Sequence, residues 1–327
     1  MTNEAVGGIR QPLSAVEGKM AVQNAFIHRL QRRHFVYYDV LPLLACLALL
    51  VPTFTGKLPT SWFEFSLLFG FWLLTGLGIT VGYHRLLTHR TFNAAPPLKM
   101  FLAIAAAMAG QGSATSWVAL HRLHHERSDQ PGDPHSPNMH GSGVWNRLKG
   151  LLHSHFTWMA KHAYPNVVRY APDLLRDKKL QRVSRLYHWW ILLGFALPAA
   201  MGGIYHQSMA GALSGLLWGG LLRMVVLEHI IWSINSFLHT FGSRAYETRE
   251  NSHNSSLLSV LTLGESWHNN HHKFPNSPSF GLVWYRPDPG YWFIWLMSKV
   301  GAASDLRLPD PASIRPSGRR DEPAQMP

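Results

Sequence analysis

Three short runs carry most of the chemistry open to this sequence: His84 to His89 (HRLLTH), His121 to His125 (HRLHH) and His268 to His272 (HNNHH). The second and third share the spacing HxxHH. On a helix advancing ~100° per residue, positions i, i+3 and i+4 fall within roughly 100° of one another. The spacing therefore allows His121, His124 and His125 to point at one spot, and His268, His271 and His272 to do the same. His84 and His89 stand at i and i+5, about 140° apart on an ideal helix. Either the helix ends between them or they serve different metals. A fourth piece, Asn235 to His239 (NSFLH), sets an amide and an imidazole one turn apart. Imidazole suits iron, copper, zinc and nickel. One tetrahedral zinc would use four ligands, whereas these nine histidines point to two metals with room for a further ligand. A solvated histidine-rich surface would leave two identically spaced clusters unexplained.

In their wider context these runs read GYHRLLTHRTF, HRLHH followed by SDQPGDPH, NSFLH, and GESWHNNHHKFP. They resemble the membrane fatty acyl desaturases, and most of all the stearoyl-CoA (delta-9) desaturase-like branch in its bacterial form. The resemblance runs from about residue 36 to about residue 306, with the histidine runs in the family's order. It implies an all-α integral membrane protein with four transmembrane helices and a cytoplasmic helical cap carrying a histidine-rich di-iron site. The implied metal ligands are His84, His89, His121, His124, His125, His239, His268, His271 and His272, with Asn235 as a weak or water-mediated one. The implied reaction is oxygen-dependent desaturation of a saturated long-chain acyl group at delta-9, with O2 as co-substrate. Two iron ions (Fe2+/Fe3+) would carry it, with two electrons from a separate donor such as a ferredoxin, a cytochrome b5-like protein or a reductase. Trp232 matches the family's tryptophan at the bend of the acyl tunnel. One departure concerns the carrier. Ala119 and Leu120 stand where vertebrate-type members have an Arg-Asp pair that helps hold CoA. The carrier is then CoA or a membrane glycerolipid. Arg29, Arg32, Arg33 and the basic residues from Arg176 to Arg185 could form an entrance for a phosphate-bearing thioester, which favours CoA. A hydroxylase could use the same site, and an alcohol in place of an alkene would reveal it.

The elements that must position these residues follow from hydropathy. Residues 36–55, 62–83, 188–206 and 210–234 are long apolar runs of spanning length. Residues 97–118 are also long enough. A single crossing there would put the first and second histidine runs on opposite sides, so an amphipathic or re-entrant helix is expected. Residues 1–35 form a polar N-terminal segment without an early apolar stretch, 36–306 the desaturase domain, and 307–327 a Pro-rich tail expected to be disordered. Residues 121–187 read as soluble, and the stretch after 239 as soluble and helical. A piece such as Ala21–Leu30 is expected to lie on the membrane surface or to be solvated. The N-terminal segment holds five Lys or Arg, residues 84–187 fourteen, and the C-terminal segment nine, against Lys57 alone in the 56–61 hairpin. The positive-inside rule then places both termini and all the histidine runs in the cytoplasm, with the protein in the cell inner membrane.

A net charge of +12 and a pI near 10.0 suit anionic lipid or a phosphate-bearing substrate, and the apolar runs argue against nucleic acid. The single cysteine, Cys46, excludes an intrachain disulfide and a Cys-bound iron–sulfur cluster. A membrane metal transporter would carry its ligands near the bilayer midplane, whereas these lie at span ends and in polar segments. Asp129, Asp133, Glu126 and Glu265, each near a histidine run, are candidates to orient the imidazoles. Glu228 and His229 are expected to share a local buried hydrogen bond. His135, His140, His153 and His162 read as structural or surface residues, and His155 as one to watch.

Overall fold

The computed structural model describes residues 20–22 and 24–315, so Arg10, Lys19 and residues 316–327 lie outside the described residues. Ten helices carry the architecture: α1 Ala25–Phe54, α2 Trp62–Thr88, α3 Pro96–Ala107, α4 Ala114–Arg127, α5 Val144–His155, α6 Lys178–Arg185, α7 Tyr187–His206, α8 Met209–Ser236, α9 His268–Lys273 and α10 Pro289–Lys299. Two short antiparallel pairings tie distant segments: β1 (Ala21–Val22) with β3 (Tyr164–Pro165), and β2 (Asn93–Ala94) with β4 (Ala303–Ser304).

Among the described residues, α1, α2 and α8 are long and apolar enough to cross a membrane, at 30, 27 and 28 residues. At 1.5 Å per residue each is roughly 40–45 Å long, more than the ~30 Å hydrocarbon layer requires. The fourth expected span is the continuous 20-residue helix α7, packed along α8. Gly202, Gly211 and Gly215 permit that approach, because a Cβ on any of them would overlap the facing backbone or side chains.

Helix α1 starts well before residue 36 and absorbs most of the piece expected to stand apart at Ala21–Leu30. Asn24 caps it by accepting from Ile27 N at 2.8 Å. The helix then passes Pro42 by widening at Phe35–Val40, where Leu41 N–H reaches back to Val36 O. That wider turn absorbs the hydrogen bond a proline cannot donate. The 97–118 stretch is not one helix. Helix α3 ends at Ala107, and the chain turns through Gly110 and Gly112, both at positive φ (83° and 107°), before α4 begins. At 12 residues, α3 is ~18 Å long and too short to cross.

From Phe237 to Trp267 the chain, expected to be helical, is a succession of turns. Side-chain amides replace the missing backbone ladder: Asn269 Oδ1 accepts from Ala245 N (2.9 Å) and Tyr246 N (2.8 Å). Buried backbone groups need such partners wherever regular structure is absent. The segment after residue 306 packs on the fold as far as it is described. Arg307 N donates to Thr91 O at 2.9 Å, and Ile314 is buried against Tyr246.

Candidate metal centre

The first histidine run closes α2 in a wide-turn stretch, Gly78–Thr88, with His89 N donating to His84 O at 3.1 Å. Bonding from i to i+5 brings residues five apart back onto one face. His84 and His89 therefore meet (ring centroids 5.0 Å apart), which the ideal-helix angle had not allowed. Gly78 makes room for this stretch, since a Cβ there would overlap the backbone of α3 at Ala106.

The nine histidines form two groups. His84, His89, His121, His125 and His271 have ring nitrogens within 4.8 Å of one another, and so do His124, His239, His268 and His272. Each HxxHH run is thus divided instead of pointing at one spot. Residues i+3 and i+4 diverge on opposite sides of i. Helix α4 gives its i, i+4 pair to the first group and His124 to the second. Helix α9 gives its pair, His268 and His272, to the second group and His271 to the first.

The nitrogens face one another. Nε2 to Nε2 distances are 3.1 Å for His84–His271, 2.9 Å for His121–His125 and 3.0 Å for His125–His271. In the second group they are 3.0 Å for His239–His268 and 3.1 Å for His268–His272. The opposite edges of several rings meet carboxylates. His84 Nδ1 lies 2.5 Å from Glu265, His124 Nδ1 3.0 Å from Asp133, His239 Nδ1 3.1 Å from Asp129, and His272 Nδ1 3.5 Å from Glu250. A carboxylate on Nδ1 fixes the proton there and leaves the lone pair on Nε2. Opposed lone pairs repel unless a cation lies between them. His89 Nε2 and His124 Nε2, both buried, have no hydrogen-bond partner. These clusters fit a metal site.

Electrostatics point the same way. Burial holds His89, His121, His125, His268, His271 and His272 well below the ordinary histidine pKa, and neighbouring imidazoles lower them further. For Asp129 and Asp133 burial pushes the other way. The bonds and charge of His239 and His124 overcome it and hold both carboxyls below their usual range. A histidine with a lowered folded pKa contributes stability that is complete above ~6.5 and lost as pH falls through that value, because the unfolded chain takes up protons that the folded one refuses. Metal-free protein should therefore lose stability from about pH 6.5 downward, by ~1.4 kcal/mol per pH unit for each proton of difference. Thermal unfolding across pH in detergent measures this, and stability that rises on acidification would refute it.

Of the expected orienting residues, Glu265, Asp129 and Asp133 meet histidines. Glu126 does not, since it pairs with Arg169 at 2.9 Å on the surface. Glu250 was missed: it sits eighteen residues before His268 in the chain, and no local pattern marks it. Of the two readings of His135, structural or surface, the structure gives the first, with the ring buried 4.3 Å from that of His124 by centroids. His229 bonds His155 (2.9 Å) instead of Glu228.

Asn235 and Trp232 line a cavity of about 60 Å³ together with His84, His121, His268 and Glu265. Gln111, Trp117, Leu120, Trp158 and Met159 also border a wider cleft of about 660 Å³, so the two spaces adjoin. Arg33, Arg185 and His162 stand on the cleft's wall. An apolar chain could run from that cleft to the histidines.

Fold and site together define a mostly helical membrane protein with a paired histidine centre beside a partly apolar cleft. The chain belongs to the fatty acid desaturase family, whose sequence model matches residues 60–288. It is 44% identical over 290 residues to the hex-5-enoyl-[acyl-carrier protein] acetylenase of Moorena producens, covering 88% of this chain and 90% of that one. It is 35% identical over 242 residues to the sn-1 stearoyl-lipid 9-desaturase of Anabaena variabilis, covering 73% and 82%. To delta-9 acyl-lipid desaturase 2 of Arabidopsis thaliana it is 33% identical over 303 residues, covering 92% of each. The protein is an oxidoreductase of lipid metabolism.

Proposed function

We propose that the two histidine groups each hold an iron ion and that the protein is an oxygen-dependent acyl desaturase introducing a delta-9 double bond. The observation that carries the reading is the set of opposed, carboxylate-oriented Nε2 atoms beside the cavity lined by Trp232 and Asn235. Bound iron would supply O2-derived oxidising power for an unactivated methylene, with two electrons from a separate donor protein. The chain's own residues do the rest. Glu265, Asp133, Asp129 and Glu250 fix the ring orientations, and Asn235 offers a weak or water-mediated contact to the second group. The cleft below Arg33 and Arg185 admits the acyl chain and keeps its reacting segment away from bulk water.

The position of the site supports four crossings. His84 ends α2 and His239 follows α8, and the two groups adjoin, with the His125 and His272 rings 4.5 Å apart. If α8 crosses, the chain between them must cross once as well. Helix α7 is the segment available, since α3 is too short. The charge distribution supports a cytoplasmic site, with the protein in the cell inner membrane. A cysteine at Gln207, in the α7–α8 turn, should react with an impermeant maleimide added outside intact cells. One at Lys178 should react only after the membrane is opened. The reverse pattern would refute the topology.

For the carrier, the relatives with acyl-lipid names weigh toward a membrane glycerolipid over the CoA ester expected from the basic residues alone. Arg33 and Arg185 would meet its phosphate at the cleft. A second reading, an acyl group on acyl-carrier protein, has in its favour the 44% identity to the Moorena enzyme. Purified enzyme with a reducing system should convert labelled phospholipid in bilayers to the cis-alkene faster than it converts stearoyl-CoA or stearoyl-carrier protein. Faster turnover of either thioester would overturn the lipid assignment, and an alcohol as main product would overturn desaturation.

A further inference from the structure

Helix α5 has its amphipathic faces reversed for a helix in a water-soluble cap. Gly150 and Ser154 are buried, and Gly150 lies so close to the Pro137 carbonyl that a Cβ would overlap it. The opposite face is apolar and turned outward: Val144, Trp145, Leu148 and Leu152 are 73, 77, 50 and 59% exposed. These four residues fall within ~100° of the helix circumference, and the exposed Arg147 and Lys149 flank them on either side. A soluble helix buries such a stripe. A stripe facing out between two basic residues is the pattern of a helix lying in a lipid interface.

The neighbours of α5 fix its depth. His155, its last residue, approaches His229 Nδ1 (2.9 Å) and Ser236 Oγ (3.0 Å) of α8. His229 is seven residues before the end of α8, so α5 meets the last ~10 Å of that helix. A helix of 28 residues is ~42 Å long, about 12 Å more than the hydrocarbon layer, so its last turns lie at the boundary between acyl chains and headgroups. Phe237 and Phe241, just beyond, are 45 and 56% exposed and extend the apolar surface.

We infer that α5 lies in the bilayer surface, its Val144–Trp145–Leu148–Leu152 face in the acyl boundary and Arg147 and Lys149 at anionic headgroups. The inference rests on the reading that α8 spans the membrane. Its consequence reaches the metal centre. Helix α5 packs on the Pro137–His140 turn, where Asn138 Nδ2 donates to Asp129 Oδ1 (2.9 Å) and to His239 O (3.1 Å). Lipid that holds α5 thereby braces the turn that holds Asp129 against His239.

The test uses full-length protein in anionic vesicles, with Cys46→Ala and a single environment-sensitive label at Leu148→Cys, Leu152→Cys, Glu247→Cys or Leu44→Cys. Labels at 148 and 152 should emit to the blue of the one at 247 and be quenched several-fold more by lipids spin-labelled near the headgroup. The label at 44, within α1, should be quenched by lipids labelled deep in the chain. Solvent-like behaviour at 148 and 152 with normal quenching at 44 overturns the inference. Loss of quenching at 44 shows instead that the spanning reading has failed. Unquenched labels together with cross-linking of 148 between copies would assign the face to a second protein molecule and also overturn it. The Leu148→Glu/Leu152→Glu variant should stay inserted, as reported by the label at 44, yet lose turnover several-fold. Unchanged turnover would overturn the bracing role.

Discussion

Alanine at His271 is expected to lower turnover by at least ~100-fold and, if each histidine group holds one iron as proposed, to reduce bound iron from two ions per chain to about one. His271 Nε2 stands 3.1 Å from that of His84 and 3.0 Å from that of His125, so it bridges contributions from α2, α4 and α9. Removing it takes away the ring that stands between His84 and His125 and leaves four of the five ligand nitrogens. Loss of even an indirect partner of a metal ligand commonly costs 10–100-fold in affinity or activity, and loss of a ligand is expected to exceed that. The control is His206→Ala. That ring meets Glu64 at 2.8 Å at the opposite end of α2 from His84, belongs to neither group, and should leave both iron content and product unchanged. Metal analysis beside product analysis separates two failures: an inactive variant with two irons would mean His271 acts on substrate, and near-wild-type product would sink its assignment as a ligand. Nitrogen ligands accept zinc as well as iron, and zinc-loaded protein would be inactive in either form because Zn2+ has no redox chemistry.

How much of this could be read from the sequence depends on distance along the chain. The HxxHH runs gave the ligand candidates, because three and four residues along a helix stay neighbours whatever surrounds them. Their division between two groups was not readable, since it depends on which side of α4 and α9 faces the other helix. The pair His84 and His89 resisted for a different reason. Its spacing suits an i→i+5 turn, and nothing in the residue types says that a helix will widen there; the close approach of α3 at Gly78 accompanies that widening. Apolar length marked α1, α2 and α8, but the start of α1 was obscured because Ala25–His34 is polar enough to read as a separate piece. Its continuity rests on the Asn24 cap and the wide turn ahead of Pro42. The turns from 237 to 267 were misread as helix because their order comes from the side chains of Asn254, Asn269 and Asn270, partners fifteen or more residues away from the groups they satisfy. Partners brought together by long loops, such as Glu250 with His272, leave no local trace.

The same limit hid Arg85, whose replacement by alanine is expected to destabilise the folded protein by about 3–5 kcal/mol. Arg85 follows the ligand candidate His84 and is fully buried. Its Nη2 donates to Asp288 Oδ1 at 2.9 Å and lies 3.6 Å from Glu265 Oε1, while the guanidinium stacks over Phe280 at 4.1 Å. Asp288 in turn accepts from Phe280 N (2.7 Å) and Tyr291 N (3.0 Å), fixing the start of α10. Glu265 uses its other oxygen on His84 Nδ1. One cation thus neutralises two buried carboxylates, one structural and one orienting a histidine. Removing it leaves both charges without compensation, which is the condition under which breaking a buried pair is most damaging. Glu265 would then draw water or a proton and loosen its hold on His84, and activity per folded molecule should fall by ~10–100-fold. The Arg85→Met/Asp288→Asn double variant separates the two effects. It removes the structural carboxylate charge along with the cation, so much of the lost stability should return, whereas Glu265 remains unpaired and the activity defect should persist. Chemical unfolding in detergent gives the first quantity, and product formed per iron-loaded molecule gives the second. Full recovery of activity in the double variant would show that Arg85 acts on the fold alone and has no hold on His84 through Glu265.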